Sequence, residues 1–153
     1  MTMLISHRGN LTGPDPSREN SPQYIMEAIK KDYMVEVDLR SYQDKLYLGH
    51  DEPQYQIDMV FLVENRSFLW VHCKDSESMH TMLKYTNMNC FWHYADDYTM
   101  TSMGYVWAYP GKRSVGNLCV MVMPELHWSL EEISKFDTFG ICSDYVEQIK
   151  NYK

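Results

Sequence analysis

Met34-Val35-Glu36-Val37-Asp38-Leu39 alternates apolar side chains with two carboxylates, the period of two that marks a β-strand. Residues two apart on a strand point to one face, so Glu36 and Asp38 share a side. Like charges held that close repel unless a cation lies between them, and two hard oxygen donors suit Mg²⁺ or Ca²⁺. The alternative is that one of the two carboxylates simply bonds Arg40 or Lys45 on a surface strand.

Upstream, Ser21-Pro22 reads as an N-cap and first helical residue, and Ile25, Met26, Ala28 and Ile29 fall at helical spacing toward Lys31. Before it, Leu4-Ile5-Ser6 is a short strand that runs into His7-Arg8 and a polar loop with Gly9, Gly13, Pro14 and Pro16. Together these make a β-loop-α-β unit. Downstream, Leu46-Tyr47-Leu48-Gly49 is a brief strand ending at His50-Asp51, whereas Ile57 to Val63 fits helix and strand equally. Strands are expected at 68–73, 89–93, 104–109, 118–123 and 138–143, a turn at Asp96-Asp97, and helices at 76–85, from Ser129 onward and at 145–152. Strands alternating with helices or short loops predict an α/β fold with a largely parallel sheet. A full (β/α)₈ barrel takes about 250 residues. The 153 residues here predict one domain, 1–153, folded as a compact, reduced TIM-like (β/α) barrel of roughly seven strands with some helices replaced by loops.

Composition narrows the function. The chain is 44% hydrophobic and 23% charged, enough for a real core. Its 14 Lys and Arg against 21 Asp and Glu give a net charge of −7, a surface that repels phosphate backbones, so nucleic acid is not an expected partner. A small anion remains acceptable where a metal ion or a local Arg/Lys cluster reverses the field. Cys73, Cys90, Cys119 and Cys142 form no CxxC pair and sit in apolar runs, which predicts buried thiols in a reducing compartment. Met1 to Ser6 is too short an apolar run for a signal peptide, and no stretch approaches a membrane span, so a cytoplasmic protein without stable membrane insertion is expected.

Polar residues gather where apolar strands end, the edge at which parallel α/β folds place their sites. His7-Arg8 ends the first strand and Glu36 and Asp38 the second; His50-Asp51 follows the hairpin strand, and His72 and Lys74 share a side at the end of another. His7-Arg8-Gly9, Glu19-Asn20-Ser21, Glu36-x-Asp38 and His50-Asp51 occur in this order and at about this spacing in the glycerophosphodiester phosphodiesterase family, which the first fifty residues resemble nearly position for position. The rest resembles it more loosely. His72-Cys73-Lys74 stands where that family usually has Glu-x-Lys, and Gly140-Ile141-Cys142-Ser143-Asp144 is similar to its closing strand.

The resemblance implies metal-assisted cleavage of a small phosphodiester or a lysophospholipid-like substrate. In the family the substrate's neighbouring hydroxyl attacks first and water then opens the cyclic phosphate. His7 and His50 would trade the acid and base tasks, Glu36, Asp38 and His72 would hold one divalent ion, Mg²⁺ or Ca²⁺ with Mn²⁺ as a further candidate, and Arg8 and Lys74 would contact phosphate. Glu125 and Asp97 are the other candidates for a third metal ligand, and Glu19 and Asn20 for supporting groups. A phospholipase C- or D-like enzyme, a lyase stopping at the cyclic phosphate, and a barrel that binds without turnover are the alternatives. The 12 Met fit gap-filling in a trimmed core better than a lipid-facing surface, and Trp92, Trp107 and Tyr109 are candidates for the wall of an alcohol pocket.

Overall fold

The computed structural model describes residues 2–152. In chain order it contains β1 (Met3–His7), α1 (Pro22–Lys30), β2 (Met34–Tyr42), β3 (Lys45–Leu48), β4 (Tyr55–Ile57), α2 (Met59–Glu64), β5 (Leu69–Cys73), α3 (Ser76–Met82), β6 (Asn89–Phe91), β7 (Tyr98–Met100), β8 (Val106–Ala108), β9 (Cys119–Val122), a 3₁₀ turn at Pro124–Leu126, α4 (Leu130–Ser134), β10 (Gly140–Ser143) and α5 (Val146–Asn151). The strands β6, β5, β2, β1, β10, β9 and β8 lie side by side in that order, all parallel. This is the reduced α/β barrel that the sequence predicts.

Two hairpins complete the sheet. β3 and β4 extend antiparallel from the far half of β2, and β7 pairs antiparallel with β8. Between β6 and β7–β8 the closure is local: Ser102 N donates to Cys90 O at 2.8 Å and Cys90 N to Ser102 Oγ at 3.0 Å. The connections from β6 to β8 and from β8 to β9 carry no helix among the described residues, which is where the chain saves its length.

Local chemistry explains the boundaries. Ser21 Oγ caps α1 by accepting from Tyr24 N at 3.2 Å, with Pro22 at the first helical position. The ambiguous segment at 57–63 divides at Asp58, whose carboxylate accepts from Phe61 N at 3.0 Å and turns the end of β4 into α2. α3 stops at Met82 rather than continuing to Tyr85, with Leu83 as its C-cap. The strand expected at 104–109 starts only at Val106, because Thr101 and Tyr105 close a turn in which Gly104 takes a φ of +84°. Asp96-Asp97 leads into β7, a strand the sequence reading lacked.

Strand alternation sorts the side chains into two cores. Val35, Val37, Leu39, Leu69, Val71 and Cys73 point outward to α1, α2 and α3, where Ile25, Leu62 and Met82 are fully buried. Full burial of one such side chain contributes about 1.5–3 kcal/mol. The opposite faces line the barrel interior with Ile5, Trp70, Phe91, Trp107, Val120, Val122 and Cys142. All four cysteines are buried and unpaired, and of the methionines read as core, Met82 and Met121 are buried while Met79 and Met123 are partly covered. No helix among the described residues is long and apolar enough to cross a membrane.

Candidate active site

On five strands a polar residue stands two beyond an interior apolar one: His7 after Ile5, Glu36 after Met34, His72 after Trp70, His93 after Phe91 and Asp144 after Cys142, with Asp38 two further along from Glu36. The sheet register sets them side by side, with His7 opposite Glu36 and Asp38 opposite His72. The polar groups thus lie above an apolar floor, at the carboxyl ends of the parallel strands.

His7 Nδ1 lies 2.7 Å from Asp144 Oδ1, which also accepts from Asn10 Nδ2 at 2.9 Å. A carboxylate partner fixes the proton on Nδ1 and leaves Nε2 toward Glu36, whose Oε2 is 4.0 Å away. Burial disfavours the charged ring, but the bond to Asp144 and the charge of Glu36 outweigh it and hold the His7 pKa above its ordinary value. Asp144 is buried too, yet the bonds from His7 and Asn10 keep its pKa below the usual carboxylate range.

Arg8 adopts a φ of +55° and turns the chain out of β1. Gly9 follows at +96°, where a Cβ would stand 2.7 Å from Tyr24 Cδ1. Arg8 Nη1 donates to Glu19 Oε2 at 3.2 Å. Its Nε lies 2.9 Å from Asp38 Oδ2, an ion pair in which the N–H is not aimed at the oxygen. Asn20 holds Asp38 twice, donating Nδ2 to Oδ2 and accepting the Asp38 N–H on Oδ1, each at 2.9 Å. Glu19 and Asn20 are therefore supporting groups, while Ser21 and Pro22 beside them open α1.

The other side of Asp38 is open. Its Oδ1 and Glu36 Oε2 are buried atoms without a hydrogen-bond partner. His72 Nδ1 faces the two carboxylates, 3.5 Å from Asp38 Oδ1 and 3.6 Å from the other Glu36 oxygen, Oε1, and one ligand atom from each of the three residues lies within 4.8 Å of the others. Burial opposes ionisation of Asp38, but Arg8, His72 and Lys74 beside it, with Asn20, bring its pKa below the ordinary value. Arg40 and Lys45 do not pair with these carboxylates. Arg40 instead donates Nε to Gly49 O at 3.0 Å and a second nitrogen to His50 O, clamping the turn that carries His50.

Of the other third-ligand candidates, Glu125 points away, accepting the Asp144 N–H on Oε1 at 2.9 Å, with its pKa raised by burial. Asp97 is 63% exposed and pairs with Lys112 at 2.9 Å. A cavity of about 310 Å³ opens onto the cluster, lined on its polar side by His7, Arg8, Glu36, His50, His72 and Lys74. The facing wall comprises His93, Tyr94, Trp107, Tyr109, Pro110, Val122 and Met123. Trp107 and Tyr109 thus line the cavity, whereas Trp92 is half-exposed and outside the lining. His50 reaches the cavity from a more open position, its ring 41% exposed and its Nδ1 2.7 Å from Asp51 Oδ1.

No family model matches the chain, and no curated protein is similar to it in sequence. Among solved structures, the glycerophosphodiester phosphodiesterase of Agrobacterium tumefaciens superposes with a TM-score of 0.62 over 99% of each chain, at 13% identity. The likeness is one of fold. On this barrel, the sequence-predicted residues His7, Arg8, Glu36, His50, His72 and Lys74 converge on one cavity, and Asp38 lies just behind it. Sequence reasoning assigned no task to Asn10, His93 or Asp144. Of these Asp144 and His93 carried a signal, each standing two residues beyond an interior residue of its strand, Cys142 and Phe91.

Proposed function

We propose that the protein is a metal-dependent phosphodiesterase that splits a small glycerophosphodiester-type substrate into a phosphomonoester and an alcohol. The observation that supports this most is the pair of buried, unpartnered oxygens, Glu36 Oε2 and Asp38 Oδ1, beside the His7–Asp144 pair at one cavity. Unpaired buried carboxylate oxygens are costly unless a cation completes them, so the residues fit a divalent ion held by Glu36, Asp38 and His72. Such an ion, when bound, supplies charge neutralisation at the phosphate.

The chain's own groups do the rest. Arg8 and Lys74 border the cavity and would meet the phosphate oxygens, Arg8 through the Nη2 not committed to Glu19 or Asp38. His7 and His50 would carry protons on opposite sides of phosphorus. One takes the proton of the attacking hydroxyl on the substrate while the other gives a proton to the departing alcohol oxygen; water then opens the cyclic phosphate with the two roles exchanged. Trp107 and Tyr109 would pack against the alcohol and exclude water from it.

The test is hydrolysis of glycerophosphocholine, whose glycerol hydroxyl can attack phosphorus, by purified protein stripped with a chelator and then supplied with divalent ions in turn. Metal-dependent turnover that is lost in His50→Ala and in Glu36→Gln is expected. Absence of turnover with every ion, from folded protein that still binds glycerol phosphate, would refute hydrolysis and leave a binding barrel. Accumulation of the cyclic phosphate as end product would make the protein a lyase.

A further inference from the structure

We propose that the site selects a borderline first-row transition ion, of the Zn²⁺ or Co²⁺ kind, through His72 and not Mg²⁺ or Ca²⁺. The inference rests on reading Glu36, Asp38 and His72 as the metal ligands, and it concerns which ion those donors favour.

Oxygen supply is the first constraint. Ca²⁺ takes about 6–8 oxygen ligands. Asp38 Oδ2 is already taken by Asn20 and Arg8, so the two carboxylates offer Glu36 Oε1 and Oε2 and Asp38 Oδ1. Lys74 Nζ, 3.6 Å from Asp38 Oδ1, lowers the attraction of the site for a cation that binds by charge alone. Glu125 and Asp97, the carboxylates that would make good the shortfall, are engaged elsewhere by the Asp144 backbone and by Lys112.

The second constraint is the imidazole itself. Its nitrogen is a poor donor to hard ions and a good one to Zn²⁺, Fe²⁺, Ni²⁺ and Cu²⁺. His72 is 13% exposed, and its ring stacks on Phe91 (4.9 Å between centroids, 15°) and on His93 (4.8 Å, 10°). Those two rings stand on the neighbouring strand and its extension, so Nδ1 is held toward the carboxylates and does not swing aside for water to replace it.

Spacing is the third. Ligands about 2.1 Å from an octahedral Mg²⁺ are about 3.0 Å apart, whereas a tetrahedron with bonds of about 2.0–2.2 Å has edges of about 3.3–3.6 Å. The Nδ1 separations of 3.5 and 3.6 Å correspond to two edges of such a tetrahedron, and all three ligand atoms lie within 4.8 Å of one another. Three protein ligands then leave a fourth position, which opens on the cavity for a phosphate oxygen.

Any nitrogen-oxygen site binds Zn²⁺ or Co²⁺ more tightly than Mg²⁺, so the bare order decides nothing and the comparison must be between variants. Co²⁺ and Mg²⁺ are titrated by calorimetry into chelator-stripped wild type, His72→Glu and His72→Gln, with a thermal melt of each to confirm folding. Loss of an outer-shell partner alone costs about 10- to 100-fold in metal affinity. The Co²⁺-to-Mg²⁺ affinity ratio is therefore expected to fall at least about tenfold in His72→Glu. An unchanged ratio would overturn the proposal. A second readout needs no variant: on addition of Zn²⁺ to wild type, the Nδ1 resonance of His72 in imidazole-labelled protein is expected to move to a ligated position, and an unmoved resonance would equally overturn it. Neither readout depends on turnover. A ligated His72 without hydrolysis refutes the phosphodiesterase reading alone, and Mg²⁺-supported hydrolysis with an unligated His72 refutes this inference alone.

Discussion

Asp144→Asn keeps the shape of the side chain and removes the charge that His7 leans on. Asp144 Oδ1 accepts from His7 at 2.7 Å and from Asn10 at 2.9 Å, and an amide oxygen in its place still accepts both bonds. What is lost is the difference between a hydrogen bond to a charged group, about 1.5–3 kcal/mol, and a neutral one, about 0.5–1.5 kcal/mol. A loss of about 1–2 kcal/mol in the transition state lowers kcat/KM about 5- to 30-fold. The pH profile should move as well. The His7 pKa lies above 6.5 against the opposition of burial, and without the carboxylate it falls, so the limb of kcat/KM that reports His7 shifts to lower pH. Stability follows the same groups. The contribution of His7, whose folded pKa is raised, is complete below 6.5 and is lost as pH rises through the folded value. That of Asp144, whose folded pKa is depressed, is complete above 3.8 and is lost as pH falls through the folded value. The pair therefore stabilises the fold most between these two values, and chemical denaturation across pH should show that maximum flattened in the variant. A rate and a pH profile equal to wild type would refute the assignment of His7 as a proton carrier poised by Asp144.

Asn20→Ala removes both contacts to Asp38, and calorimetry should show metal affinity lower by about 10- to 100-fold. The buried Asp38 N–H left unpaired costs about 1–3 kcal/mol of stability, readable by urea denaturation. Gly49→Ala places a Cβ 2.1 Å from Glu52 O at a φ of +152°, so the His50 turn must shift; catalysis should be lost while the Co²⁺ affinity of the Glu36 cluster is kept. Trp107→Ala empties a site packed against Phe91 (4.6 Å) and Trp70 (5.8 Å), costing about 3–5 kcal/mol by thermal melt, and Trp107→Phe should raise KM for bulky alcohols without altering metal binding. The four buried thiols, with Cys73, Cys90 and Cys142 driven to high pKa by burial, should react with a disulfide reagent only after denaturation.

The residues legible in the sequence are those whose position follows from local periodicity. Alternation put Glu36 and Asp38 on one face, and the structure keeps them there because the outward residues Val35, Val37 and Leu39 must meet the helices. Capping chemistry likewise placed α1 and α4: Ser129 and Glu132 form a complete capping box. What local patterns do not carry is distance along the chain. Asp144 meets His7 from 137 residues away, and Glu125 is drawn to the Asp144 backbone across the gap between β9 and β10. His93 stands out in the sequence as the end of a strand, two residues beyond Phe91; its place beside His72 follows from the pairing of β5 with β6, which only the fold reveals. The short helices were misjudged in length for a related reason, since tertiary packing and not periodicity sets where α3 stops.

The shortening of the barrel and the completeness of the candidate site have one physical explanation. His7, Glu36, Asp38, His72 and Asp144 stand on or just beyond β1, β2, β5 and β10, which are contiguous in the sheet. Helices α1, α3 and α5 pack behind those strands, so their register and the aim of their side chains are held from outside. The connections without helices lie between β6, β8 and β9, on the opposite side. That side needs only to wall the cavity, and it does so with large rings: Phe91 and Trp107 fill the floor, while Tyr109 and the 92%-exposed Tyr94 form the rim. An aromatic ring covers more area per residue than a helix-backed aliphatic layer, at the cost of few rotatable bonds. On this side, aromatic rings thus do the covering that helices do elsewhere. The charged half cannot be trimmed in the same way, because each of its hydrogen bonds depends on a backbone that does not move.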